Sequence, residues 1–412
     1  MAESLRAKTV VPIDRPAIDD GVVTIKGERI VAVEPASHGS GRARDLGDVV
    51  LLPGLVNAHT HLEFSHLQAP LGRPGMPLVE WLPLAIAERG RNGERAVQSI
   101  AAGIQESVVT GTSALGDIVT VKPAVYELSS QLRILPFLEV IGFSRARAAL
   151  AFAAIDERIA DAERWQKRGR SFFRRNKSCV PFLGISPHAP YTVSPELVGR
   201  LVALACEHDL PVAMHLAESA EELELLSAGS GPFRDLLVAR SMWDEAAIAR
   251  GSRPLDYLKL LAQAPRSLVV HGNYLAHDER AFLADHADRM TLVYCPRTHA
   301  YFDHHRYPLG ELLAAGVQVA LGTDSRASNP DLSVLGEVRQ VARAHPSIRP
   351  ETIFKMATLD GARALGCDEQ QGSITPGKLA NLVAVPAPNG WLTELLYGDA
   401  APSAIWLKGR EV

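Results

Sequence analysis

Two histidines separated by one residue stand where an apolar run ends. Val49-Val50-Leu51-Leu52 leads into Pro53-Gly54, and a second short apolar piece, Leu55-Val56-Asn57-Ala58, runs into His59-Thr60-His61. In an extended strand, residues i and i+2 project on the same face, so His59 and His61 aim two imidazoles at one point. A strand end of this kind can hold a transition metal such as Zn²⁺. One such pair is weak ground in a chain with 14 histidines. Further polar positions join it. Pro187-His188-Ala189-Pro190-Tyr191-Thr192 follows one apolar run. His215 ends another, with Glu218 three residues on. His271 ends a third, and a fourth closes in Gly322-Thr323-Asp324-Ser325. A lone histidine at a strand end is most often a satisfied structural residue. His or Asp at five strand ends is hard to explain that way, and a metal site explains it directly.

The elements that must position these residues can be read from the same chain. Apolar β-type runs at Leu55–His59, Thr112–Leu115, Ile134–Val140, Phe182–Ser186, Val212–His215, Leu268–His271, Thr291–Tyr294 and Val317–Leu321 alternate with helical stretches such as Pro195–His208 and Leu332–Ala344. Eight buried strands with helices between them predict an α/β protein built on a closed parallel (β/α)₈ TIM barrel, whose site lies at the C-terminal ends of the strands. The chain ends have a different texture. Val22–Ile25 and Arg29–Val33 flank the turn Lys26-Gly27, and Leu382–Val385 and Ile405–Arg410 repeat the pattern. Residues 1–53 and 371–412 are therefore expected to share one small β-sandwich domain beside a barrel spanning 54–370.

Composition excludes several classes. A chain of 412 residues with 47% hydrophobic residues has ample material for a core. A net charge of −4 argues against a broad polyphosphate-binding surface. The seven basic residues between Arg164 and Lys177, with Trp165, Phe172 and Phe173, read as a solvated helix end and loop and not as a nucleic-acid patch. The N-terminal stretch Met1 to Pro16 has no apolar signal core, and no run approaches 18 apolar residues. Cys179, Cys206, Cys295 and Cys367 form no CxxC pair and read as reduced thiols. The expectation is a cytoplasmic protein with a small-molecule substrate, no nucleic-acid or membrane partner, and possible self-association.

With these motifs in place, the chain resembles the amidohydrolase superfamily, in its branch of cytosine, guanine and adenosine-type deaminases and related chlorohydrolases. The carrying segments are Pro53-Gly54-Leu55-Val56-Asn57-Ala58-His59-Thr60-His61, Ser186-Pro187-His188-Ala189-Pro190-Tyr191, His215-Leu216-Ala217-Glu218, Val270-His271-Gly272 and Gly322-Thr323-Asp324. The tail Gly372-Ser373-Ile374-Thr375-Pro376-Gly377-Lys378 looks like this family's return to its small β-domain. The segment around His188 is most similar to deaminases of adenosine-type nucleosides.

The resemblance implies a division of labour. His59, His61, His215 and Asp324 would hold one divalent metal, Zn²⁺ from the donor set with Fe²⁺ as an alternative. No lysine stands at the end of the fourth barrel strand to bridge a second ion, so the site is expected to be mononuclear. Such an ion makes a water nucleophilic at neutral pH. Asp324 would accept that water's proton, Glu218 would protonate a ring nitrogen, and His271 would orient the nucleophile. His188 would contact the substrate. The implied reaction is hydrolytic deamination of an aminated purine nucleoside, with aminodeoxyfutalosine or a related adenosine derivative as the best single candidate. Another amidine or halide hydrolysis (guanine, triazine or formimino substrates) is the alternative. A non-catalytic scaffold would be expected to have lost ligands.

Two segments depart from the pattern. Tyr294-Cys295-Pro296-Arg297-Thr298-His299-Ala300-Tyr301-Phe302 stands where many relatives have an asparagine-rich stretch. Arg297 and His299 are either ion-paired loop residues or contacts to an anionic substrate arm. Glu80-Trp81-Leu82 is present, but the residues after it, Pro83 to Arg89, do not match the ribose-binding register. Trp81 either closes over a heterocycle or belongs to the core.

Overall fold

The computed structural model describes residues 2–38, 43–121, 132–167 and 183–412. The basic stretch therefore lies almost wholly outside the described residues, as does Cys179. Five strands open the chain: β1 (Ala2–Val10), β2 (Ile18–Lys26), β3 (Arg29–Pro35), β4 (Arg44–Asp45) and β5 (Val49–Pro53). Eight more come next: β6 (Leu55–Thr60), β7 (Thr112–Val119), β8 (Arg133–Val140), β9 (Gly184–Pro187), β10 (Val212–Leu216), β11 (Ser267–His271), β12 (Met290–Tyr294) and β13 (Val319–Leu321). The last three are β14 (Leu382–Pro386), β15 (Ala404–Leu407) and β16 (Arg410–Glu411).

Strands β6 to β13 pair in sequence order, every ladder parallel, and helices connect them. This is the expected (β/α)₈ arrangement. The seam between β13 and β6 is closed by a single parallel bridge, Thr60 to Asp324. The backbone N–H groups of Thr323 and Asp324 both donate to His59 O at 3.1 Å. The Thr60 hydroxyl donates to Asp324 O at 2.8 Å, and Asn57 Nδ2 donates to Thr323 Oγ1 at 2.7 Å. The seam thus brings the residues expected at the first and last strand ends into direct register.

Two sets of apolar residues alternate along the strands. Val212, Met214 and Val269 pack in the large core shared with the helices, whereas Ala213, Leu268, Val270, Val293 and Ala320 form a second buried cluster with Phe137. This period of two separates the helix-facing side of the strands from the barrel interior. The remaining strands form one sheet in the order β16-β15-β14-β5-β1-β2-β3, with β4 also on β1. The two chain ends share this one hydrogen-bonded sheet, as expected. Leu5, Val23, Ile30, Leu51, Leu382 and Trp406 fill its core.

Candidate active site

Alternation alone does not put every polar side chain at the site. His215 keeps the parity of Ala213 and so belongs to the interior face. His271 has the parity of Val269, which packs toward the helices, but its φ is +70°. That left-handed conformation, uncommon outside glycine, breaks the alternation. Asp324 likewise has φ +55°. In β6 the pairing register shifts between Asn57 and Thr60, an irregularity of the kind that re-aims side chains. Left-handed backbone at His271 and Asp324 is a cost that the surrounding bonds hold in place.

The result is a buried cluster. His61 Nε2 lies 3.4 Å from His215 Nε2, and Asp324 Oδ1 lies 3.6 Å from both His59 Nε2 and His61 Nε2. Ligand atoms at the corners of a tetrahedron with bonds of about 2.0–2.1 Å are about 3.3–3.4 Å apart, so this spacing fits a zinc-type ion. One orphaned atom supports the fit: His59 Nε2 is buried with no hydrogen-bond partner. His215 Nδ1–H donates to His188 O at 2.9 Å, which leaves its Nε2 as a lone pair toward the cluster. Burial drives the pKa of His61 and His215 well below the usual value, aided by His59 beside them, so both are neutral and able to ligate. Burial opposes ionisation of Asp324, but His59, Ser328 and His215 together hold its carboxyl below the usual range. The Ser328 hydroxyl fixes Asp324 Oδ2 at 2.7 Å.

Beside the cluster stands a carboxyl of opposite character. Glu218 Oε1 is 3.3 Å from His271 Nε2, and the Tyr191 hydroxyl donates to Glu218 Oε2 at 3.4 Å. Burial raises the Glu218 pKa well above the ordinary carboxylate value, and the Asp324 and Glu222 charges add to this. His271 also comes within metal-ligand range of His59 and His215. Two carboxyls whose environments push their pKa values apart have the makings of an acid and a base.

A cavity of about 330 Å³ opens on these groups. One helix, Leu78–Asn92, contributes Leu78, Trp81, Leu82, Ala85, Ile86 and Arg89, a single helical face. A second helix, Pro232–Ala239, contributes Phe233, Leu236 and Leu237, with Arg240 at its C-cap. His188 lies in the wall, its Nδ1–H donating to Thr192 Oγ1 at 2.7 Å. Trp81 is both wall and core. Its indole N–H donates to Ala327 O at 3.3 Å and its ring meets Phe302 edge-on.

Two expected substrate contacts are corrected. Arg297 is not in the cavity wall. Its Nε donates to Glu337 Oε1 at 2.6 Å and its Nη2 to Asp331 Oδ1 at 2.8 Å, with Glu337 fully buried. The guanidinium is desolvated against two carboxylates of its own chain and has no fork free for a ligand. His299 packs against Tyr294, Tyr307 and His304 and is absent from the cavity wall. Sequence reasoning also missed Phe233, Arg147 and Arg240, since nothing local marks a loop or helix end as facing the cavity.

The amidohydrolase family model matches residues 50–411. The chain belongs to the amidohydrolase family. It is 30% identical over 429 residues to a 5-methylthioadenosine/S-adenosylhomocysteine deaminase of Nitratidesulfovibrio vulgaris, covering 99% of this chain and 89% of the relative. It is 30% identical over 361 residues to the aminodeoxyfutalosine deaminase of Deinococcus radiodurans, covering 84% and 81%. Among solved structures, an adenosine deaminase from Xanthomonas campestris with bound zinc superposes with a TM-score of 0.78 at 27% identity, covering 99% of this chain and 92% of that one. The amidohydrolase assignment thus rests on almost the whole chain, barrel and small domain together. Among the described residues, no helix is long and apolar enough to cross a membrane.

Proposed function

We propose that the protein is a hydrolytic deaminase of an aminated purine nucleoside whose arm beyond the ring is apolar and ends in an anion. The observation that carries this reading is the buried cluster of His59, His61, His215 and Asp324 set beside the buried Glu218 in the wall of a largely apolar cavity. The resident metal is a single divalent ion, Zn²⁺ by the donor set, with Fe²⁺ compatible with the same residues. It would supply Lewis acidity and lower the pKa of a water toward about 7.

The chain's own residues do the rest. Asp324, ionised and held at Oδ2 by Ser328, accepts the nucleophile's proton. Glu218, held protonated by burial, gives its proton to the ring nitrogen next to the amino-bearing carbon, which makes that carbon electrophilic. His271, 3.3 Å from Glu218, orients the attacking oxygen. The proton taken up by Asp324 then passes to the amino group, the C–N bond breaks with release of ammonia, and Glu218 regains a proton from the new hydroxyl as it becomes the oxo group. His188, fixed by Thr192, meets the substrate's ring from the wall. The three described cysteines are free, in keeping with a cytoplasmic enzyme.

The anion's partners are Arg147 and Arg240 in place of Arg297. Both lie in the cavity wall and are exposed, and neither forms an ion pair among the described residues. The walls between them and the site are apolar, from Ile86, Leu236, Leu237 and Met242. A nucleoside carrying a carboxylated, hydrophobic group fits, and aminodeoxyfutalosine is such a molecule. Ammonia release across a panel of adenosine, methylthioadenosine, S-adenosylhomocysteine, aminodeoxyfutalosine and guanine tests the reading. Arg147→Met with Arg240→Met should lower kcat/KM for carboxylate-bearing substrates roughly tenfold or more and spare adenosine. Equal losses on acidic and neutral substrates would show that these arginines read no anion.

A further inference from the structure

Glu218 reaches the cavity from a turn that the backbone does not adopt freely. Directly after β10, Ala217 has φ +53°, a left-handed conformation that non-glycine residues rarely adopt. The turn also leaves two successive amides pointing inward. Both are accepted by one carboxylate: Ala217 N–H donates to Glu222 Oε1 at 2.7 Å and Glu218 N–H to Glu222 Oε2 at 3.0 Å. Successive amides held this way form an anion-binding nest, here filled by the chain's own side chain. Glu222 lies in the first turn of the helix Ala220–Ala228, whose N-cap Ser219 accepts the Glu222 N–H at 3.3 Å.

The carbonyl side of the turn is held as well. Asn273 Nδ2 donates to Glu218 O at 2.9 Å and Tyr274 N–H to Ala217 O at 3.0 Å. Both come from the segment after β11, two and three residues beyond His271. Glu222 itself is fully buried and absent from the cavity wall. Among the described residues, no Lys, Arg or His forms an ion pair with it. A buried carboxylate without a counter-charge is costly unless its hydrogen bonds are needed where they are. Burial pushes its pKa up to about 7 even against the two amides. A glutamine could not replace it, because its oxygen satisfies one amide while its NH₂ group confronts the other.

We propose that Glu222 is a positioning residue for the reaction, acting through Glu218: its carboxylate fixes the strained turn that aims the Glu218 carboxyl at the substrate. This rests on the reading of Glu218 as the acid–base group. The test is a double-mutant cycle on metal-loaded protein, with rates normalised to bound metal. Glu222→Gln should lower kcat about 10²-fold, the scale on which a 1 Å misplacement acts, with KM and bound metal little changed. In a Glu218→Gln background the same substitution should cost nothing further, because the group it positions is already gone. Glu222→Asp, which keeps the charge but withdraws it by one methylene, is measured in both backgrounds. It should show a smaller loss with the same dependence on Glu218, and it preserves the comparison if Glu222→Gln does not fold. Equal losses in both backgrounds, or no loss beside wild-type Glu218, would overturn the proposal. Full activity of Glu218→Gln alone would instead overturn the reading of the site.

Discussion

Asp324 joins three roles in one side chain. One oxygen faces His59 and His61, the other is bound by Ser328, and its backbone bridges the barrel seam to Thr60. Asp324→Ala should therefore lose bound metal and turnover together while the barrel, whose seam bonds to this residue use its backbone atoms, stays folded. Metal analysis and circular dichroism check both halves. Arg297 illustrates the opposite outcome. A rim arginine was legible from the sequence, but its partners, Asp331 and Glu337, are 34 and 40 residues away and no local signal names them. Arg297→Met should strand the buried Glu337 carboxylate and destabilise the fold by about 3–5 kcal/mol. Thermal unfolding measures this, and kcat/KM of the surviving folded enzyme should be unchanged for acidic and neutral substrates alike.

At the scale of elements, strand ends were the readable feature because a barrel directs its chemistry there. His59, His61, His215, His271 and Asp324 do converge, and Pro195–His208 forms the predicted helix. What the pattern could not give is the direction of His271 and Asp324, which depends on left-handed backbone and not on period-two alternation. The cavity wall was hidden for a related reason. The face Leu78, Trp81, Leu82, Ala85, Ile86 reads equally well as core packing until the neighbouring helix is placed. The segment after β12 offers a pH test. Burial lowers His304 and His299 to a pKa of about 4 each. The unfolded chain takes up their protons near pH 6.5, so stability is full above that pH and is lost as pH falls toward 4. His304→Gln removes one such group. Its Tm relative to wild type should rise steadily between pH 6.5 and 4, and parallel Tm curves would show that His304 is not held neutral by the fold.

For the whole molecule, the two sheets were legible as a change of texture, with apolar runs spaced by helices between two β-rich ends. Their seam was not, because one bridge and a few bonds between residues some 260 positions apart leave no trace in local composition. The proposed reaction, in which the His–Asp cluster with its metal and Glu218 together replace an amino group by oxygen on a purine nucleoside, is the point to test. The most direct measurement is simultaneous quantification of ammonia and oxo-nucleoside from 5′-modified adenosines, using wild-type and Glu218→Gln protein of equal metal content. The account predicts equal amounts of both products from wild type and a rate lower by ~10²–10⁴-fold in the variant. Fully metal-loaded wild type that releases no ammonia from any aminated nucleoside would contradict it.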